Sequence, residues 1–379
     1  MAKKKPSKAE LADKAYLVCD LGNSLIKMIL IDAQGNFINR VDFPHAIRTS
    51  NIERFDATLN NRSGNRMLRA ERFAIDDQDV AVGVLAEVGA DKKKSGGPKY
   101  QKGYIDLLFI SGALRLLPDG HDNLTVMVMH PPSDIQHAPT LRKSIGGRHA
   151  VKTINGEKIA YRVREVLSMD EPVGGVRHHL LDWGGITYRH EFTDERMALC
   201  IDVGGGVSSF TPFNRAGVVD YPMAEDLTFD IGIHNVMENL SRLIKSAPET
   251  REEFRAHRDS MLPFDSNMRR AIHTGIYNWN GRDIPMHDLR DEAVRPLVQR
   301  LQGEWENRIL GVGFSPAYIV VTGGGGGVMF DIIIIDVLEN YNRDNIFMVE
   351  TDFSVIHFAN VFGATKVQQA IIAQNLELI

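Results

Sequence analysis

The chain has 379 residues, 43% of them hydrophobic and 25% charged, with a formal net charge of −5. That length has room for two domains of ordinary size, and the balance is that of a soluble globular chain. The slight acidity implies no general affinity for nucleic acid, and the longest apolar run, at residues 331–336, is interrupted by charge and too short to cross a membrane.

The first fourteen residues carry five lysines and no apolar segment of a signal peptide, so residues 1–15 read as a disordered basic tail. From Tyr16 an apolar strand runs into Asp20. The small polar turn of Gly22, Asn23 and Ser24 follows, then a second strand over 25–31. Gly35 turns the chain again, and a third apolar run ends at Pro44. Residues 51–67 read as a loop or weak helix, 79–89 as a strand entering a short helix, and the charged, breaker-rich 91–98 as a surface loop. Apolar residues at helical spacing predict a helix over 104–117, stopped by Pro118 and Gly120. Residues 124–129 form a buried strand closed by Pro131 and Pro132. Strands surround the turn at Asn155 and Gly156, and another strand over 163–167 leads to Asp170, Glu171 and Pro172.

Residues 176–195 hold His178, His179 and His190 around a turn at 182–185. They are open to a metal reading, or to one as surface and packing histidines. The stretch MALCIDVGGGVSSFTPF, 197–213, is again strand, tight turn, strand: an apolar run reaches Asp202, and Gly204, Gly205 and Gly206 follow. It repeats the first meander. Gly35 lies fifteen residues after Asp20 and Gly217 fifteen after Asp202, and the third run of each copy ends in a proline, Pro44 or Pro222. Two meanders in one register predict an internally duplicated architecture. Asp230 and Gly232 cap a helix through Ile244. Residues 246–291 are polar and poorly patterned, and a helix covers 293–309. A strand over 316–322 enters the glycine run 323–327, which is followed by a helix over 328–341, a strand over 346–349 and a last helix over 364–373. The two cysteines, Cys19 and Cys200, lie in predicted core strands, as buried thiols in a reducing cytosol would.

Adjacent glycines after a strand let the backbone come close to an anion with several N–H groups pointing one way. A plain glycine-rich turn, with Asp202 only supporting it, is the competing reading. The run Gly323, Gly324, Gly325, Gly326 lacks the spacing and the following acid of a dinucleotide fingerprint, and no Walker motif is present. Three glycine-rich turns after strands, two of them with an acid, suit a nucleoside triphosphate. The hairpins would grip the phosphates, the late glycine run would flank the nucleoside, and Asp20 and Asp202 would hold hydrated magnesium. Lys27 would reach back across its hairpin to a phosphate, or is a solvated strand lysine.

This constellation resembles the actin superfamily and, within it, the bacterial ParM/StbA-type actin-like proteins. Asp20 to Lys27 looks like the first phosphate motif, Asp202 to Gly206 the second, and Thr322 to Gly326 the adenosine motif. Asp170 to Gly175 and Asn360 to Gly363 look like the two connecting segments. The resemblance implies an α/β fold of two lobes, a duplicated ribonuclease H-like architecture with MgATP (or MgGTP) in a central cleft. Residues 16–170, completed by 355–379, would form the first lobe and 171–354 the second. It implies that Glu171 orients the water attacking the terminal phosphate, with Asp170 as the other candidate. It further implies a cytoplasmic ATPase whose subunits assemble head to tail, serving plasmid or DNA segregation through a DNA-binding adaptor. A non-polymerising regulatory or scaffold ATPase, or a sugar-kinase-like phosphotransferase, is the alternative. The chain departs from the pattern at Ser209 and Phe210, where many relatives carry an acid.

Overall fold

The computed structural model describes residues 14–22, 25–49, 70–83, 86, 104–118, 120–185, 197–213, 219–220, 227–247, 266–279, 281–352 and 354–377. Asn23, Ser24 and His190 lie outside the described residues, as do the expected basic tail through residue 13 and the loops at 51–67 and 91–98. The chain divides into two compact units, Met1–Arg189 with Val361–Ile379, and His190–Asn360.

Unit one is built on a mixed sheet. Strands β1 (Ala15–Leu21), β2 (Leu25–Ile31) and β3 (Phe37–Pro44) form the antiparallel meander expected from the sequence. Every residue of β1 is buried. A strand covered on both faces needs a near-continuous apolar run, and this is why it is conspicuous in the sequence. The order continues through β4 (Ile47–Arg48), β5 (Arg72–Ile75), β6 (Gln78–Val82), α1 (Ile105–Leu116), β7 (His121–His130), α2 (Ala138–Ile145), β8 (Gly147–Thr153), β9 (Lys158–Asp170) and α3 (Glu171–Leu180). The strands are ordered β3-β2-β1-β7-β9-β8-β5-β6-β4, with β7 parallel to β1 and β9 parallel to β7. The two segments read as separate strands on either side of residue 163 are one strand, β9, hinged from β8 at Asn155 and Gly156, where Gly156 has φ +80°.

Unit two repeats the central pattern. Strands β10 (Ala198–Val203) and β11 (Ser208–Phe213) form an antiparallel hairpin, and β12 (Thr228–Phe229) pairs antiparallel with β11. Of the third run, whose expected end at Pro222 lies outside the described residues, Val219 bridges antiparallel to Phe213. Helix α4 (Ile233–Ser246) buries Val236, Leu240 and Ile244 of the expected stripe. The segment read as poorly patterned contains α5 (Ser266–Thr274), the hairpin β13 (Ile276–Trp279) and β14 (Arg282–Pro285), and the start of α6 (His287–Glu304). Strands β15 (Tyr318–Thr322) and β16 (Ile346–Met348) complete the order β12-β11-β10-β15-β16, both added in parallel. The two sheets therefore share one wiring, an antiparallel meander followed by two parallel strands, as the duplication predicts.

Three boundaries differ from expectation. The helix after β15 begins at the first glycine, as α7 (Gly323–Val328), not at Val328. Glycine disfavours helix, but here close packing demands it: a Cβ on Gly325 would lie 2.7 Å from Val203 Cγ1 and 2.9 Å from its carbonyl oxygen. The last helix, α8 (Ala359–Glu377), starts five residues before the predicted one. Finally, α3 and residues up to 189 belong to unit one, whereas the expected lobe boundary fell at 170/171. Helix α8 holds α3 there. Gly363 sits so close to α3 that a Cβ would overlap the carbonyl oxygen of Gly174, and Lys366 Nζ donates to the carbonyls of His178 at 2.9 Å and Leu181 at 2.6 Å.

Candidate functional site

In unit one, Asp20 stands next to last on β1 and is 3% exposed. The antiparallel register sets it opposite Lys27, and Lys27 Nζ lies 2.6 Å from Asp20 Oδ2. Lys27 is therefore neither solvated nor extended toward an outside anion in this state; it neutralises the carboxylate across the hairpin. Gly22 follows, with its carbonyl oxygen held by the buried His45 ring and no room for a side chain, since a Cβ would lie 2.8 Å from Leu25 O. Strand β7 ends beside β1 and β9 beside β7, which brings His130 opposite Asp170. Both are buried, with His130 Nδ1 3.2 Å from Asp170 Oδ1. Glu171, at the first position of α3 before Pro172, is only partly buried. Of the two candidate carboxylates, Asp170 is buried beside the histidine and Glu171 is the more exposed.

In unit two, Asp202 occupies the matching position. It is 6% exposed and faces Ser209, seven residues on, as Asp20 faces Lys27. The glycine turn after it is organised by α4. Gly204 N–H donates to Val207 O at 2.9 Å, which closes the hairpin. Ile233 and His234, in the first turn of α4, donate to the carbonyls of Gly204 at 3.1 Å and Gly205 at 2.8 Å. All described peptides are trans, so each carbonyl turned toward α4 turns the next N–H the opposite way. The N–H groups of Gly205 and Gly206 thus point together, away from the helix. They donate to no acceptor among the described residues, and both glycines are partly exposed. Two adjacent parallel amides have the geometry of an anion-binding nest.

The late glycine run meets this site through Asp202. The register of β10 and β15 sets Thr322 opposite Asp202. A Cβ on Gly323, where φ is +82°, would overlap Asp202 Oδ1. Asn360 Nδ2 donates to Asp202 Oδ2 at 3.0 Å, and Thr322 Oγ1 donates to Asn360 Oδ1 at 2.6 Å. Gly324 faces Arg269 of α5 and His357, while Gly325 and Gly326 pack on Val203. In the sequence Asn360 stood out only as part of a connecting segment; its contact with Asp202 spans 158 residues and has no local signal.

The donor set fits a hydrated magnesium phosphate. Mg²⁺ keeps most of its waters and takes one or two carboxylates, and Asp202 supplies hard oxygens three residues before Gly205. Asp20, already neutralised by Lys27, is the weaker candidate. His178 and His179 are buried on α3, His178 packs against Trp183 and Phe362, and no cluster of three ligating side chains exists among the described residues, which leave out His190. Burial, and then the neighbouring aspartate, pushes the thiols of Cys19 and Cys200 well above their ordinary range. No helix among the described residues is long and apolar enough to cross a membrane.

No protein-family model matches the chain, and no curated protein matches its sequence. Solved structures do match its fold. An archaeal actin homolog, solved in complex with ADP, superposes with a TM-score of 0.69 at 14% identity, over 94% of this chain and 99% of that one. The actin-like protein Alp7A gives 0.65 at 14% identity over 96% and 98%, and Bacillus thuringiensis ParM with ATP gives 0.62 at 16% over 95% and 99%. With each sheet wired alike around an aspartate-ended hairpin, and the likeness running nearly end to end, this chain has the two-lobe α/β fold of the actin-like proteins.

Proposed function

We propose that this chain is a cytoplasmic nucleoside triphosphatase of the actin-like type, using ATP or GTP with magnesium and assembling head to tail into filaments. The parallel, outward-facing amides of Gly205 and Gly206 beside Asp202 carry this reading. They are suited to a phosphate, and the carboxylate to the cation that accompanies it. The matching hairpin of unit one, with Asp20, Gly22, Asn23, Ser24 and Lys27, is suited to phosphate in the same way; Lys27 exchanges its Asp20 partner for a phosphate oxygen when nucleotide enters. Thr322 and the glycines 323–326 form the close-packed entry that flanks the nucleoside. Bound magnesium supplies charge neutralisation at the phosphates. Glu171, on the accessible side of the β9–α3 junction, orients and deprotonates the attacking water, while the buried His130–Asp170 pair anchors that junction.

Glu171→Gln tests the catalytic part: nucleotide affinity is retained and phosphate release falls at least about 100-fold. Unchanged turnover moves the role to another residue. Light scattering with and without MgATP tests assembly, because a heterologous interface that does not close yields open polymers. A concentration-dependent rise, with filaments in the electron microscope, is expected; its absence would favour the non-polymerising regulatory ATPase. A filament that moves plasmid DNA through an adaptor is the cellular task we assign, since ParM proteins are among the similar structures.

A further inference from the structure

Three buried side chains from three separate elements converge at the end of β10. Thr322 of β15 is 2% exposed, Asn360 of α8 5% and Asp202 of β10 6%. Their hydrogen bonds run in one direction. Thr322 Oγ1 donates to Asn360 Oδ1 at 2.6 Å, and Asn360 Nδ2 donates to Asp202 Oδ2 at 3.0 Å. Chemistry fixes the amide's orientation: an ionised carboxylate only accepts, so a flipped amide would set oxygen against oxygen. Asp202 Oδ1 lies over Gly323, in space that any side chain there would fill. The carboxylate thus meets a directed donor at one oxygen and a shaped backbone surface at the other.

We infer that Asn360 is a positioning residue, which holds the Asp202 carboxylate in the rotamer that receives hydrated magnesium, with Thr322 holding Asn360 in turn. The inference rests on the proposed nucleotide site and deepens it. A relay that merely satisfied buried polar groups would contribute to stability alone. A relay that orients a metal-binding carboxylate also sets cation affinity, and outer partners of this kind change metal affinity about 10–100-fold when removed.

The test uses Mn²⁺ as a paramagnetic probe, titrated into the full chain with ADP and followed by electron paramagnetic resonance. Asn360→Leu keeps the volume and removes both hydrogen bonds. It should weaken Mn²⁺ binding about 10–100-fold, while ADP affinity measured in EDTA stays at the wild-type value. Thr322→Val keeps the shape of threonine, folds if Asn360→Leu does not, and should weaken Mn²⁺ binding roughly fivefold; Thr322→Ser restores it. Wild-type Mn²⁺ affinity in both Asn360→Leu and Thr322→Val overturns the inference and leaves the nucleotide reading standing. Equal losses of ADP affinity with and without the cation also overturn it, because they mark a structural defect. A wild-type chain that binds Mn²⁺ no better with ADP than without removes the nucleotide reading and the inference together.

Discussion

Gly323→Ala tests the packing at the junction of β15 and α7. The residue has φ +82°, in the left-handed region, where a Cβ costs roughly 1–2 kcal/mol. The same Cβ would overlap Asp202 Oδ1 and lie 2.5 Å from the carbonyl oxygen of Val203. Val203 ends a fully buried strand with β11 on one side and β15 on the other, so its backbone has little freedom to retreat. Overpacking against such a neighbour costs about 1–3 kcal/mol. Alanine also restricts the unfolded chain, which offsets up to about 1 kcal/mol. The net loss is then roughly 1–5 kcal/mol, a large part of the 5–15 kcal/mol typical of a folded domain. Urea unfolding of the full chain, followed through Trp279 and Trp305 of unit two, measures it. The midpoint should fall, and magnesium-dependent nucleotide binding should weaken because Asp202 is displaced. A variant with wild-type midpoint and wild-type binding would refute both the left-handed conformation and the contact with Asp202.

Gly206→Ala is the complement. A Cβ there meets nothing within 4 Å and the backbone is not left-handed, so stability should change by less than about 0.5 kcal/mol. If its N–H faces phosphate, the added methyl crowds the ligand, and isothermal titration calorimetry should show weakened nucleotide binding; undiminished affinity would argue against the nest. Lys366→Met removes the ammonium from the carbonyls at the end of α3 and should cost about 2–4 kcal/mol in a urea melt; a near-neutral result would show that water replaces it. Neither Cys19 nor Cys200 should react with Ellman's reagent at pH 8 in the folded chain, and both should react in denaturant, because burial holds the thiols neutral. The sign for stability follows. The unfolded chain releases these protons from about pH 9 upward while the folded chain keeps them, so stability falls with rising pH, by up to about 1.4 kcal/mol per pH unit for each thiol. Cys19→Ala should flatten that slope, and an unchanged slope would show that the thiol does not contribute.

The central strands of both units were legible in the sequence because burial on both faces demands continuous apolar runs, and β1 and β10 have them. The meander register was legible for a related reason. The tight glycine turn that follows each aspartate within two residues brings the antiparallel pairing with it, so Asp20 meets Lys27 and Asp202 meets Ser209. The segment around α5, β13 and β14 was not. Its strands are four residues long, among the described residues they pair only with each other, and Gly275 and Gly281, both at positive φ, set the turns without an apolar rhythm between them.

From the amino-acid order alone came the duplicated hairpins, the acids at their ends, the glycine runs and hence the fold, since each is a local pattern in which backbone periodicity and residue type agree. Three-dimensional packing alone determined which way the amides of Gly205 and Gly206 point, that the glycine run is itself helical, that α3 stays with unit one, and that Asn360 reaches Asp202. Each of these depends on a contact between residues far apart in the chain, whose energy has no counterpart in the spacing of near neighbours.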